Sequence, residues 1–210
     1  MTDKLAQGIF RIKVPFDDIF TTVYVYICEK GVALIDSATY SEDADKYIIP
    51  ALRELKIEKV KYLLLTHNHD DHMGGIYRLK EIFSDARICA TFKTELSDSH
   101  ILTDGQTIIG NLQAIYLPGH TDNSVGYFDL KTKTLMSGDC LQLAGIGKYR
   151  GGIAYSEQYI NSCNKLKNMD IEKIVAAHEY EPLGSIADGK KEVKEYLNKC
   201  IEICIKEKIQ

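Results

Sequence analysis

Apolar and polar positions alternate in the first part of the chain, where Val23, Val25 and Ile27 are separated by Tyr24 and Tyr26. This period of two, together with β-branched and aromatic residues, is typical of a strand with one buried face. Residues 61–65 are instead continuously apolar after Lys61, which is typical of a strand covered on both faces. The same signals predict strands at residues 9–14, 20–28, 32–36, 61–65, 87–90, 125–130, 134–136 and 173–177.

Helical patterns separate these strands. A helix over residues 41–55 would begin at Ser41, with acidic residues in its first turn where the helix dipole favours them. Residues 107–117, interrupted by Gly110-Asn111, predict a hairpin. Further helices are predicted at residues 72–83, 155–169 and 190–209. Strands and helices thus alternate in two blocks that each end in a helix, which indicates a layered α/β protein with helices outside packed sheets.

Composition narrows the class of protein. The 210 residues are 45% hydrophobic and 27% charged, which suits one globular domain over residues 1–210. A net charge of −4 without a Lys/Arg block argues against a nucleic-acid partner.

We expect no membrane partner, because no apolar run approaches the roughly 18 residues of a membrane span. Without a signal-peptide pattern, we expect a cytoplasmic protein with reduced cysteines. Homo-oligomer formation is left open.

Histidine and aspartate are concentrated directly after the apolar strand. Residues 67–72 read His-Asn-His-Asp-Asp-His. Imidazole and carboxylate are the zinc ligands used when thiolate is absent, and extended residues two apart point the same way. His67 and His69 are therefore expected to hold one ion, with Asp71 and His72 facing a second nearby. A polar surface turn and a single mononuclear site are the alternatives.

Three more candidates follow predicted strands. They are His120 in Leu-Pro-Gly-His-Thr, Asp139 in Ser-Gly-Asp, and His178 in Ala-Ala-His-Glu-Tyr. Strand ends in layered α/β folds meet at one edge, so these side chains are expected to converge with the first cluster. His100, in a polar loop, is expected to be exposed and without function. Cys140 is expected to be a buried packing residue.

Together these motifs resemble the metallo-β-lactamase superfamily, whose His-x-His-x-Asp-His motif matches residues 67–72. The next family ligands match in order, at intervals of 48, 19 and 39 along the four positions 72, 120, 139 and 178. The resemblance implies a four-layer αββα sandwich with metals at one edge between the two sheets. It also implies two divalent ions, zinc by default, with iron or manganese as alternatives.

The resemblance also implies which of the two metals each residue would bind. His67, His69 and His120 would hold the first metal, whereas Asp71, His72 and His178 would hold the second. Asp139 would bridge the two ions. Asp71 would also act in catalysis by orienting the attacking hydroxide.

Within the superfamily, the chain is most similar to glyoxalase II, the hydroxyacylglutathione hydrolases. Gly-Asp-Cys-Leu at residues 138–141, the segment 146–152 and His-Glu-Tyr at residues 178–180 resemble that group's motifs. The resemblance implies that Lys148, Tyr149, Arg150 and Tyr180 bind an anionic small-molecule substrate. Arg150 and Gly151 depart from the glyoxalase II pattern, and the C-terminal helical domain of the larger enzymes is not expected here.

The implied function is hydrolysis of a thioester by a hydroxide shared between two metal ions. Lactone or other ester hydrolysis would use the same ligands. A mononuclear iron enzyme of the persulfide dioxygenase type would need only His67, His120 and Asp139. A non-catalytic metal-binding or redox protein of the flavodiiron type is disfavoured, because that group usually carries Glu at the position of His69.

Overall fold

A computed structural model describes residues 2–96, 99–141, 152–179 and 183–207. The described residues form two sheets, and the first half of the chain builds one while the second half builds the other. The seven strands of the first sheet lie in chain order: β1 (Thr2–Ala6), β2 (Ile9–Phe16), β3 (Ile19–Cys28), β4 (Gly31–Ile35), β5 (Tyr62–Leu64), β6 (Arg87–Ala90) and β7 (His100–Ile101). The six strands of the second sheet are β8 (Thr107–Ile109), β9 (Leu112–Tyr116), β10 (Val125–Asp129), β11 (Thr134–Gly138), β12 (Lys173–Ala176) and β13 (Ile186–Asp188).

The helices lie outside the two sheets. They are α1 (Ser41–Asp43), α2 (Ile49–Glu54), α3 (Asp70–Met73), α4 (Ile76–Ile82), α5 (Ser156–Lys167) and α6 (Lys190–Glu207). A π-helical turn at Ala44–Ile48 joins α1 to α2. None of these helices is long and apolar enough to cross a membrane.

Three separate apolar cores define the layers. One packs the π-helical turn and α2 to α4 against the outer face of the first sheet, and it includes Leu52 and Leu79 together with Val25 and Leu63. A second lies between the two sheets. The third packs α5 and α6 against the outer face of the second sheet. Three interfaces between four layers confirm the predicted αββα sandwich.

Two predicted helices differ from those observed. The helix predicted over residues 41–55 is interrupted by the π-helical turn, and its N-cap is Tyr40 rather than Ser41. Pro50, in the first turn of α2, has no amide hydrogen to donate to the preceding turn, which disfavours a continuous α-helix here. The N-cap amide of Tyr40 donates to the Asp43 carboxylate at 2.9 Å.

The helix predicted over residues 72–83 begins at Asp70 and breaks after Met73. The break occurs at Gly74-Gly75, where the chain passes very close to the loop after β4. A Cβ on Gly74 would lie 1.8 Å from the carbonyl oxygen of Thr39. The two glycines therefore let α3, which carries half of the histidine motif, pack directly on the neighbouring loop.

Candidate metal centre

The predicted ligands lie at one edge of the sandwich, in the loops that follow strands of both sheets. His67 and His69 follow β5, and Asp71 and His72 lie in α3. From the second sheet, His120 follows β9, Asp139 directly follows β11, and His178 follows β12. The structure brings all seven residues together in two adjacent groups, one of three histidines and one of four mixed ligands.

The first group contains His67, His69 and His120. The Nε2 atom of His120 lies 3.2 Å from His67 Nε2 and 2.9 Å from His69 Nδ1. His67 and His120 are buried, whereas His69 is exposed. Burial lowers the pKa of His67 and of His120, which favours the neutral imidazole, the form that binds a metal.

The second group contains Asp71, His72, Asp139 and His178. The Oδ2 atom of Asp71 lies 3.2 Å from His178 Nε2, and Asp139 Oδ1 lies 3.4 Å from the same nitrogen. Burial alone would lower the pKa of His178, but the Asp139 and Asp71 carboxylates raise it to about 9. Burial would raise the pKa of Asp139, but His178 and His72 hold it well below its usual range. This group therefore carries concentrated negative charge that a proton or a metal ion must balance.

Asp139 lies between the two groups. Its Oδ1 atom is 3.5 Å from His72 Nε2 in the second group. Its Oδ2 atom is 3.6 Å from His120 Nε2 in the first group. One carboxylate thus presents a different oxygen to each group.

The residues present fit a bound metal. His72 Nε2 and Asp139 Oδ1 are fully buried and have no hydrogen-bond partner within the described structure. A buried polar atom without a partner costs about 1–3 kcal/mol, so such atoms in a folded protein need an explanation. Both atoms belong to the second ligand group, and coordination of a divalent cation satisfies both of them.

Each buried histidine is also held at its other ring nitrogen. His72 Nδ1 lies 2.7 Å from Asp36 Oδ2, and His67 Nδ1 lies 3.0 Å from Thr66 Oγ1. The backbone carbonyl of Gly152 is 2.5 Å from His120 Nδ1, and that of Phe20 is 2.7 Å from His178 Nδ1. These contacts fix the rings and leave each Nε2 facing the metal groups.

Sequence reasoning missed Asp36 and Thr66. Asp36 accepts hydrogen bonds from the Thr66 amide and hydroxyl, both at 2.8 Å, and is buried. The available signal was an aspartate at the end of an apolar strand, the context that singled out Asp139. Asp36 also has a φ of 65°, an uncommon value outside glycine, at the point where the chain leaves β4.

The predicted substrate-binding residues Lys148, Tyr149, Arg150 and Tyr180 lie outside the described residues. His100 is exposed at the edge strand β7, as predicted. Cys140 is buried in the core beneath α5 and α6, also as predicted.

A family model of the metallo-β-lactamase superfamily matches residues 17–178, most of the chain and all seven candidate ligands. The chain belongs to this superfamily. Curated relatives include a hydroxyacylglutathione hydrolase from Francisella philomiragia, 34% identical over 127 residues, which are 58% of this chain and 50% of that protein. Hydroxyacylglutathione hydrolase 1 of Vibrio vulnificus is 36% identical over 126 residues, 58% of this chain and 49% of that protein. The chain spans about half the length of these two relatives.

Solved structures share the metallo-β-lactamase fold at low identity. Rubredoxin oxygen:oxidoreductase from Desulfovibrio gigas superposes with a TM-score of 0.78 at 16% identity, over 98% of this chain and 62% of that one. A metallo-β-lactamase from Erythrobacter litoralis gives 0.75 at 17% identity, over 98% of this chain and 96% of that one. At these identities the likeness extends to the fold alone.

Proposed function

We propose that this chain is a metal-dependent hydrolase that holds two zinc ions and cleaves a thioester. The observation that carries the proposal is the position of Asp139, which presents one carboxylate oxygen to each of two adjacent ligand groups. A carboxylate shared in this way is suited to two ions held close together. Similarity to hydroxyacylglutathione hydrolases supports the choice of a thioester.

His67, His69 and His120 would hold the first ion, and Asp71, His72 and His178 the second, with Asp139 shared. When bound, two such ions supply a water of lowered pKa and a positive charge that polarises the acyl carbonyl. The nitrogen and oxygen ligands suit zinc, and the same set accepts iron or manganese.

A side chain of the protein would orient the attacking water and accept its proton. The side chain of Asp71 is 19% exposed, and its carboxylate lies at the rim of the second group, within 3.2 Å of His178 Nε2. We assign it the role of orienting the attacking water and accepting its proton. The buried rings of His72 and His178 exclude bulk water from the inner side of the group.

The one exposed histidine of the first group indicates the side from which a substrate would approach. His69 is the exposed member of the three histidines, so the acyl group of a substrate reaches the centre on that side. We propose an anionic small molecule as the substrate, bound in part by the predicted residues Lys148, Tyr149, Arg150 and Tyr180. Substrate binding by these four residues is a hypothesis separate from that of the hydrolytic metal centre.

The test is turnover of S-D-lactoylglutathione by zinc-loaded protein, with metal content measured on the same sample. The proposal expects two ions per chain and hydrolysis that is lost on chelation and restored by zinc. Turnover of lactones but of no thioester would reassign the substrate to the alternative ester class. One bound iron with consumption of oxygen in the presence of a persulfide would overturn the hydrolase proposal.

A further inference from the structure

A lysine on β2 lies one strand away from residues that hold part of the candidate metal centre. In the antiparallel pair of β2 and β3, Lys13 pairs with Thr22 and Pro15 pairs with Phe20. Ile9 of β2 and Tyr24 of β3 face the core between the sheets. Because side chains alternate along a strand, Lys13 and Phe20 project from this same inner face.

The strand segment that carries Lys13 is tied to the second ligand group. The Phe20 carbonyl oxygen accepts a hydrogen bond from His178 Nδ1 at 2.7 Å. The Thr22 hydroxyl donates to the carbonyl oxygen of Ala177, the residue before His178, also at 2.7 Å. Lys13 therefore lies one strand away from two residues that directly hold the His178 segment.

Contacts of the Lys13 ammonium place it over an aromatic ring. Its Nζ atom lies 4.4 Å from the centroid of Phe20, within the range of a cation–π interaction. The Asp3 carboxylate is 3.9 Å away, too far for a hydrogen bond, and its closer partner is Arg11 Nε at 3.0 Å. The Lys13 side chain is 35% exposed, so its donors are accessible to a ligand.

We propose that Lys13, positioned by the Phe20 ring, binds an anionic group of the substrate that lies away from the bond being cleaved. The preferred substrates would then be esters or thioesters that carry a distal carboxylate. This inference rests on the proposed hydrolytic function, and it names a residue outside the segment 148–150. A charge-assisted hydrogen bond at a partly exposed site is expected to favour such substrates about tenfold over neutral ones.

A binding experiment tests the inference without requiring turnover. Zinc-loaded protein would be titrated by calorimetry with the dicarboxylates glutarate, adipate and pimelate and with the monocarboxylate valerate. We expect one dicarboxylate of suitable length to bind about tenfold more tightly than valerate. Lys13→Met, which keeps the apolar stem over Phe20, should reduce this preference to less than about twofold, and Lys13→Arg should retain it.

Lys30→Met is the matched control, because Lys30 is exposed beyond β3 at its far end from Phe20. It should bind all four acids as the unmodified protein does, and each variant should hold the same amount of zinc. Absence of a dicarboxylate preference in the unmodified protein, or its persistence in Lys13→Met, overturns the inference.

Kinetics separate this inference from the proposed function. With para-nitrophenyl hemiglutarate, Lys13→Met should raise KM about tenfold with kcat unchanged, and with para-nitrophenyl valerate it should change neither. If the zinc-loaded protein hydrolyses neither these esters nor the thioester, the proposed function fails, and the calorimetry still decides the role of Lys13. An equal rise of KM for both esters would contradict the inference alone.

Discussion

The four buried histidines of the centre are each fixed by a different partner at Nδ1. His72 is held by a buried carboxylate, His67 by a hydroxyl, and His120 and His178 by backbone carbonyls. A carboxylate partner makes an imidazole more basic and a stronger metal ligand than a carbonyl does. We therefore expect the second ligand group, which contains His72 and two carboxylates, to bind its ion more tightly than the first.

Replacement of Asp139 should have the largest effect of any single ligand. Asp139→Ala removes the one carboxylate that faces both groups. We expect most of the bound metal to be lost and kcat/KM to fall more than about 100-fold. Metal analysis and turnover would be compared with Asp85→Ala, an exposed residue remote from the centre. Full metal content with full turnover would contradict the two-metal arrangement.

All seven ligand candidates could be named from the sequence, because each is a histidine or aspartate beside a strand end or in one dense motif. Asp36 and Thr66 could not, because their role depends on where His67 and His72 lie in three dimensions. The alternation of strands and helices predicted a layered α/β protein, and the resemblance to the superfamily predicted the αββα sandwich. The short strands β1, β7 and β13 carry too few apolar residues to be recognised, and their pairing depends on neighbouring strands.

At the scale of elements, the end of β11 is tightly constrained by a residue that follows a strand of the first sheet. Gly138 has a φ of 53°, and a Cβ added there would lie 2.7 Å from the side chain of Thr66. Thr66 in turn contacts both Asp36 and His67. The close approach of Gly138 to Thr66 therefore links the end of β11, in the second sheet, to a residue that holds His67, a candidate ligand that follows a strand of the first sheet.

Gly138→Ala should disturb both stability and metal binding. We expect the free energy of unfolding to fall by about 2–4 kcal/mol, because both the backbone conformation and the contact with Thr66 become unfavourable. Gly105→Ala is the matched control, since Gly105 has a φ of 76° with nothing within 4 Å of an added Cβ. Denaturant unfolding and zinc content should show a smaller loss of stability and unchanged zinc in the control. Equal losses in the two variants would rule out the contact with Thr66 as the cause.

Asp170, between α5 and β12, joins three elements through ion pairs. Its carboxylate lies 2.5 Å from Lys133 Nζ, in the turn before β11, and 2.8 Å from Lys190 Nζ, at the start of α6. These two lysines lower the pKa of Asp170 to about 2. A carboxylate with a lowered pKa stabilises the folded state above its unfolded pKa of about 4, and this contribution is lost as the pH falls towards 2.

The Asp170→Asn variant tests this dependence. At pH 6 its midpoint of urea unfolding should lie below that of the unmodified protein, and the difference should shrink as the pH falls from about 4 to about 2. High salt should also reduce the difference, because the pairs are exposed. A difference that is constant across this pH range would show that the ion pairs do not carry the effect.

At the scale of the whole molecule, both sheets contribute ligands to the same centre. His67, His69, Asp71 and His72 come from the first half of the chain, and His120, Asp139 and His178 from the second. The candidate metal centre lies at one edge of the apolar core between the two sheets. Metal binding is therefore expected to stabilise the packing of one half of the sandwich against the other.

Removal of metal should lower the thermal stability of the whole domain. With free zinc at about 100 times its dissociation constant, binding adds about 2.7 kcal/mol, which raises Tm by about 5–10 °C for a chain of this size. Calorimetric scans with zinc and with a chelator would measure the difference. Unchanged Tm in the two scans would contradict ligation across the two sheets.

The unequal burial of the two ligand groups has a consequence for metal exchange. His69 opens the first group to solvent, whereas His72, Asp139 and His178 are almost fully enclosed. An ion held by the first group would exchange on the side opened by His69, whereas an ion held by the second group would exchange more slowly, because only Asp71 of its four ligands reaches solvent. The first group would then follow a change in the supply of metal sooner than the second.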